Sequence, residues 1–186
     1  MTDTTLTNTS SKARNLAYIG LFVALMAVCS WISIPTTVPF TLQTFAVFVA
    51  VGLLGGKRGT IAVVVYVLLG ALGLPILANF EGGLGAVLGT TGGYLVGFIF
   101  IALVMWLVTK VWGNGIVQLT VSMIIGLALC YAFGTAWFML VYMNTTGPVG
   151  LATVLGWCVI PFIIPDLIKM VVALIVTARL KKYVKD

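Results

Sequence analysis

The chain has 186 residues, of which 61% are hydrophobic and 8% are charged. A soluble domain is normally about one-quarter charged and about half apolar, so this composition excludes a soluble globular protein and indicates an integral membrane protein. The formal net charge is +6, but the basic residues stand at the ends of apolar runs, as topology signals do, which argues against nucleic-acid binding.

Six apolar runs are candidates for membrane-spanning helices, each of which needs about 20 residues. In chain order they are approximately Leu16–Ile34, Thr41–Leu54, Thr60–Leu77, Tyr94–Thr109, Ile116–Met143 and Leu151–Leu180. A polar segment, residues 1–14, precedes the first run and is predicted to be a cytoplasmic tail. We therefore predict an all-α integral membrane protein, with residues 1–186 forming a single transmembrane domain of six helices.

The basic residues mark one side of this predicted bundle. Of the ten Lys and Arg residues, all except Lys169 flank the apolar runs, which leaves nine. With six spans these nine fall on the same side, which the positive-inside tendency identifies as the cytoplasm, so both termini are predicted to be cytoplasmic. The nine are Lys12, Arg14, Lys57, Arg58, Lys110, Arg179, Lys181, Lys182 and Lys185.

The three connections on the opposite side have a different chemistry. They read "PTTVPFTLQT", "GLPILANFEGGLGAVLGTTGG" and "NTTGPVG", and they hold no basic residue but many Pro, Gly, Thr, Asn and Gln residues. Long connections of this kind are more often functional than mere tethers. We therefore expect a functional site at the outer face.

Two opposite charges remain inside the last apolar run. Asp166 and Lys169 are three residues apart, hence neighbours on one helix face. Either they form an ion pair that only locks this helix against its neighbours, or they form the polar floor of a pocket entered from outside. We favour the pocket, because ionisable residues within a membrane usually mark functional sites.

Two prolines precede this pair and are expected to open the helix. Pro161 and Pro165 lack a backbone N–H, so each interrupts the helical hydrogen-bond ladder. A broken helix at membrane depth is tolerated mainly where it lines a cavity or is covered by protein. Asp166 is then expected at the start of a renewed helix, where the helix dipole favours its negative charge.

Further candidate ligand contacts lie near the outer mouth. Gln43, Asn79, Glu81 and Tyr94 supply amide, carboxylate and phenol groups beside apolar walls that include Phe80. Each alone would more often be a capping or loop residue than a ligand contact. Together they match the usual plan of a small-molecule site, in which a few polar groups stand among many apolar ones.

Glycines recur every four residues in the second outer segment and beyond it, at Gly85, Gly89, Gly93 and Gly97. Where the ladder is helical it predicts close helix packing, which we assign to Gly93 and Gly97. Before Thr90 we expect a loop, in which glycines let the backbone approach a ligand closely. Gly92, just after this loop, is a candidate for the same role.

The first helix carries small residues at helical spacing, at Ala13, Ala17, Gly20, Ala24 and Ala27. Such a stripe lets another helix approach closely. The spacing fits packing within the protein and packing against a partner subunit equally well.

The sequence shows no catalytic or metal-binding pattern. It contains no histidine, and Cys29, Cys130 and Cys158 lie far apart within apolar runs, so we expect buried thiols and neither a disulfide nor a zinc or haem site. An intramembrane hydrolase or transferase is disfavoured because no nucleophile–base pair is evident.

Three stretches together resemble one known family. "VPFTLQTF", "GALGLPILANFEGGLGAVLGTTGGYLVGF" and "IPDLIK" are similar to the motifs of the BioY family, the biotin-specific substrate-binding (S) components of energy-coupling factor (ECF) transporters. The resemblance covers nearly the whole chain. It departs at Thr90, where family members often have proline, a change expected to alter loop stiffness alone.

The resemblance implies an ECF S-component fold in the bacterial cell membrane and high-affinity binding of biotin as substrate, with no cofactor and no catalysis. It implies a transmembrane coupling subunit and two cytoplasmic ABC-type ATPases as partners, with Ala17, Gly20 and Ala24 docking on the coupling subunit. A self-sufficient biotin permease acting as a homo-oligomer is the alternative. The substrate-binding residues that we expect are Asp166, Lys169, Asn79, Gln43, Tyr94, Glu81, Phe80 and Gly92.

Overall fold

The computed structural model describes residues 3–184, with side chains from residue 12 onward; Lys185 lies outside the described residues. Within these residues eight α-helices form the framework, and the longer connections carry a two-stranded hairpin and one 3-10 turn. The helices are α1 (Asp3–Trp31), α2 (Gln43–Leu54), α3 (Gly56–Ala71), α4 (Leu84–Leu88), α5 (Gly92–Trp112), α6 (Ile116–Thr145), α7 (Leu151–Cys158) and α8 (Ile160–Leu180). The strands are β1 (Ser33–Ile34) and β2 (Phe40–Thr41), and the 3-10 turn is Ala78–Phe80.

Four segments of the described chain are long and apolar enough to cross a membrane. They are Lys12–Trp31, Gly92–Trp112, Ile116–Thr145 and Leu151–Leu180. Helix α2 is apolar but has 12 residues, and α3 has 16. The protein is therefore a mostly helical membrane protein, as predicted, although its second and third helices are shorter than a full span.

Helix α2 lies at the centre of the fold, which explains how so short a helix is accommodated. Eleven of its 12 residues are buried, and α1, α3, α5 and α8 all pack on it. Protein therefore covers its apolar side chains on every side. A sharp turn at Gly55 (φ 78°, ψ 164°) joins α2 to α3, a backbone conformation that glycine adopts without strain.

The most extensive helix pair is α5 with α6, and the predicted glycine packing occurs there. A Cβ atom on Gly97 would lie 2.5 Å from Sγ of Cys130, and one on Gly93 would collide with the side chain of Trp137. Such distances are shorter than van der Waals contact, so these positions have room for hydrogen alone. The packing role predicted for Gly93 and Gly97 is confirmed.

Several predicted boundaries are wrong. Helix α1 begins at Asp3, within the predicted tail, and α3 ends at Ala71, because Gly73 (φ 104°) and Pro75 follow it. The first outer connection contains the antiparallel pair β1–β2, so the fold is not purely helical. The second contains the short helix α4, where a loop was expected.

The sixth apolar run is broken, but not where the prolines stand. The interruption is at Val159 (φ −125°, ψ −57°), between α7 and α8. Pro161 occupies the first turn of α8, where its missing N–H disrupts no internal bond, and Pro165 is tolerated inside the helix. The prediction that Asp166 starts a renewed helix is wrong, because Asp166 is the seventh residue of α8.

Candidate functional site

One cavity lies among α2, α5, α6, α8 and the loops that precede α2 and α5. Its volume is about 90 Å³, several times the ~10–15 Å³ that one water needs on this measure. Apolar side chains such as Leu77, Leu95, Phe98 and Phe162 form much of its wall. Its polar and thiol groups belong to Thr41, Gln43, Thr44, Glu81, Thr91, Tyr94, Cys130, Tyr131, Cys158, Asp166 and Lys169.

The charged floor of the cavity consists of Asp166 and Lys169. Nζ of Lys169 lies 2.8 Å from Oδ1 of Asp166, and the two residues are 6% and 3% exposed. The same ammonium group lies 4.2 Å from the centroid of the Phe40 ring, which stacks on Phe162 at 5.9 Å. The ion pair thus stabilises both charges, and the aromatic face stabilises that of Lys169. The helix dipole that the sequence suggested for Asp166 is not what compensates its charge.

Tyr131 completes this floor and was not predicted. Its hydroxyl donates to Oδ2 of Asp166 at 2.5 Å, so each carboxylate oxygen has one donor. Tyr131 belongs to "ALCYAFG" on α6, an apolar run without periodic polar residues. The sequence could not show whether Tyr131 points to the protein interior or to lipid; its one available signal was a polar hydroxyl within a membrane span.

A second polar corner forms around Gln43, the first residue of α2. Its Oε1 accepts from the Thr41 hydroxyl at 3.0 Å, and its Nε2 donates to the hydroxyl of Tyr66 at 2.6 Å. Tyr66 is fully buried on α3 and donates in turn to the backbone carbonyl of Ile76 at 2.9 Å. Ser30 on α1 also lies 2.7 Å from that carbonyl.

The structure brings five of the eight predicted contact residues to the cavity. They are Gln43, Glu81, Tyr94, Asp166 and Lys169. Glu81 is exposed at the mouth, whereas the other four are buried. The hydroxyl of Tyr94 lies 3.1 Å from that of Thr135 on α6, so it is engaged within the protein.

Asn79, Phe80 and Gly92 do not line the cavity. Asn79 is exposed, and its Oδ1 accepts from the Ser33 hydroxyl at 3.0 Å. Phe80 is 63% exposed and stacks on Trp31 at 5.1 Å. Gly92 is buried where a Cβ atom would collide with the carbonyl of Val87, so its contribution is close backbone packing.

The second outer connection packs against the first helix and the hairpin through the contacts of Asn79 and Phe80. Nε1 of Trp31 donates to the carbonyl of Pro75 at 2.9 Å, beside the Ser33–Asn79 and Trp31–Phe80 contacts. Asn79 and Phe80 both have positive φ, of 57° and 60°, which is uncommon for phenylalanine. The outer loops therefore form a closely folded cover beside the cavity.

This arrangement can bind a polar, uncharged group. Lys169 offers N–H donors, while Asp166 and Tyr131 retain lone pairs that can accept. Within residues 3–184, no group of three His, Cys, Asp or Glu side chains converges on a point that could hold a metal ion. The three cysteines are buried free thiols, as expected.

The small-residue stripe of α1 faces outward over most of its length. Ala17, Gly20 and Ala24 are exposed, whereas Ala27 is buried. A Cβ atom on Gly20 would meet no atom within 4 Å in the described part of the chain. Packing within the protein therefore does not account for these three residues.

The chain is similar to known proteins in both sequence and structure. The profile of the BioY family matches residues 3–186. The chain is 45% identical to "Biotin transporter BioY" of Thermotoga maritima, over 91% of this chain and 96% of that protein. It is 38% identical to "Probable biotin transporter BioY" of Pyrococcus horikoshii, over 91% and 98%. The crystal structure of the S-component for biotin from an ECF-type ABC transporter superposes with a TM-score of 0.82 and 26% identity, over 93% of each chain.

Proposed function

The chain belongs to the BioY family, and from that premise we propose that it is the biotin-binding subunit of an ECF-type ABC transporter. It captures biotin in an outward-facing cavity and delivers it inward when coupled to the ATPase module. The family consists of transporters, so the protein is not an enzyme, and it is a multi-pass protein of the bacterial plasma membrane. Biotin is its substrate, and it needs no cofactor of its own.

The observation that carries this proposal is the buried Asp166–Lys169–Tyr131 cluster at an otherwise largely apolar cavity. The ureido group of biotin has two N–H donors and one carbonyl acceptor. Asp166 can accept from an N–H group while Lys169 donates to the carbonyl oxygen. The fused rings of biotin are apolar and match walls such as Leu95 and Phe98.

The remaining predicted contacts are assigned to the rim. We place Gln43 and Tyr94 near the tail of biotin and Glu81 at the mouth, where it lines the cavity. Asn79 and Phe80 belong to the loop whose neighbouring residue Ala78 lines the cavity, so they stay proposed contacts at its edge. Gly92 acts through the close packing described above.

A topology of six spans with cytoplasmic termini is part of the proposal, within a single transmembrane domain over residues 1–186. Two contacts support it, since each joins segments assigned to the cytoplasmic side. Nη1 of Arg58 donates to Oδ1 of Asn15 at 2.7 Å, and Nζ of Lys181 donates to the carbonyl of Asn114 at 3.0 Å. Helices α2 and α3 cross as short spans that neighbouring helices cover.

The proposed partners are a transmembrane coupling subunit and two cytoplasmic ABC-type ATPases. The exposed face formed by Ala17, Gly20 and Ala24 on α1 supports a helix-docking role, because small residues allow backbones to approach closely.

Titration of the purified protein with radiolabelled biotin tests the proposal. We expect saturable binding of one biotin per chain, in competition with unlabelled biotin and not with a biotin analogue whose ureido group is replaced. Absence of saturable binding by a folded preparation would refute it. Biotin uptake by liposomes that contain this chain alone would favour the homo-oligomeric permease.

A further inference from the structure

The hydrogen bonds behind Gln43 run in one direction, which the Ile76 carbonyl sets. A backbone carbonyl can only accept, so the Tyr66 hydroxyl must donate its single hydrogen to Ile76 at 2.9 Å. Towards Gln43 the Tyr66 oxygen can then only accept. The group that faces it at 2.6 Å must therefore be the amide nitrogen of Gln43.

The other end of the Gln43 amide is consistent with this direction. Its Oε1 lies 3.0 Å from the Thr41 hydroxyl, which donates to it and itself accepts from the backbone N–H of Gln43 at 3.2 Å. The hydrogen-bond partners thereby assign the oxygen and the nitrogen of the Gln43 amide, which the positions of these two similar atoms alone would leave ambiguous. Thr41 retains only acceptor capacity towards the cavity.

The Tyr66 hydroxyl also supports a second wall of the cavity. Ile76 precedes Leu77 and Ala78, both of which line the cavity, and its carbonyl accepts from the Tyr66 hydroxyl and lies 2.7 Å from that of Ser30. Tyr66 does not line the cavity itself and is 0% exposed. One buried phenol therefore links α2, α3 and the outer loop behind the site.

We propose that Tyr66 is a positioning residue of the ligand site: anchored on the Ile76 carbonyl, it fixes the side-chain amide of Gln43 in one orientation for the bound substrate. This inference rests on the proposed function, because it takes biotin to be the ligand that Gln43 contacts. In the fixed orientation Gln43 presents one N–H donor and one acceptor lone pair for which the described residues supply no partner.

A double-mutant cycle with Tyr66→Phe and Gln43→Ala tests this coupling. The loss of one buried hydrogen bond leaves the Gln43 amide without its partner, so we expect Tyr66→Phe to weaken biotin affinity roughly tenfold. In the Gln43→Ala background the same change is expected to alter affinity less than about twofold, since the group that it orients is gone. A purely structural tyrosine would have the same effect in both backgrounds, and that result would overturn the proposal.

Two further measurements keep the outcomes distinct. Tyr142→Phe is the matched control, because Tyr142 lies outside the cavity lining and its ring stacks on Phe138; its affinity should equal that of the parent protein. Gln43→Met has a similar length but no hydrogen-bond donor for Tyr66, so it should also bind biotin about tenfold more weakly or worse, and parent-like binding would overturn the proposal even if Tyr66→Phe does not fold. Failure of the parent protein to bind biotin would instead refute the proposed function.

Discussion

Breaking the Asp166–Lys169 pair distinguishes a ligand site from a structural lock. Nζ and Oδ1 are 2.8 Å apart, and both side chains are almost fully buried. At an effective dielectric constant near 20, that separation corresponds to an attraction of about 6 kcal/mol. Removal of one partner from such a pair typically costs about 3–5 kcal/mol, because the other charge is left buried and unpaired.

We therefore expect Lys169→Met to destabilise the protein by roughly 3 kcal/mol, the lower end of that range, since Tyr131 still donates to Asp166. The thermal midpoint of the purified protein should fall on the order of 10 °C. The double variant Asp166→Asn/Lys169→Met removes both charges, so its thermal midpoint should return towards the parent value.

Biotin binding should not return with stability. The loss of a buried, charge-assisted contact to a ligand costs about 2–5 kcal/mol, which corresponds to a roughly 30-fold or larger loss of affinity. We expect both the single and the double variant to show that loss in calorimetric titration. If the stable double variant bound biotin like the parent protein, Asp166 and Lys169 would be a structural lock and the site assignment would be refuted.

Three further predictions concern the floor, the helix packing and the partner face. Tyr131→Phe removes the second donor to Asp166 and should weaken biotin affinity about tenfold in a radioligand assay, whereas unchanged affinity would exclude Tyr131 from the site. Gly97→Ala forces a Cβ atom against Cys130 and should destabilise the protein by about 1–3 kcal/mol, which lowers the thermal midpoint by several degrees. Gly20→Ala is the matched control, and its midpoint should be unchanged or slightly raised, because alanine favours a helix more than glycine does. Gly20→Trp should leave biotin binding intact but abolish uptake in cells that contain the coupling module; normal uptake would show that this face is not a docking surface.

Much of this protein could be predicted from composition and charge. The membrane class and the presence of a charged pair, Asp166 and Lys169, inside the last apolar run follow from the cost of placing charges in lipid, which each residue carries independently of its neighbours. The tight α5–α6 packing at Gly93 and Gly97 also follows from local spacing. These are properties that a linear sequence displays.

The parts that the sequence could not supply depend on which way a residue faces. In a soluble protein, polarity marks the outward side of a helix, but in a membrane both lipid and protein interior are apolar, so that signal is weak. For this reason the sequence did not single out Tyr131 or Tyr66, and it could not show that Asn79 and Phe80 lie on the loop beside the cavity.

The break in the last span was decided by tertiary packing as well. Its prolines, Pro161 and Pro165, were visible in the sequence, yet the helix is interrupted at Val159, and both prolines are accommodated within α8. The sequence determined by itself that this protein lies in the membrane with a charged pair in its interior. Tertiary structure alone decided which hydroxyl and amide groups surround that pair, because their convergence depends on the packing of α2, α3, α6 and α8.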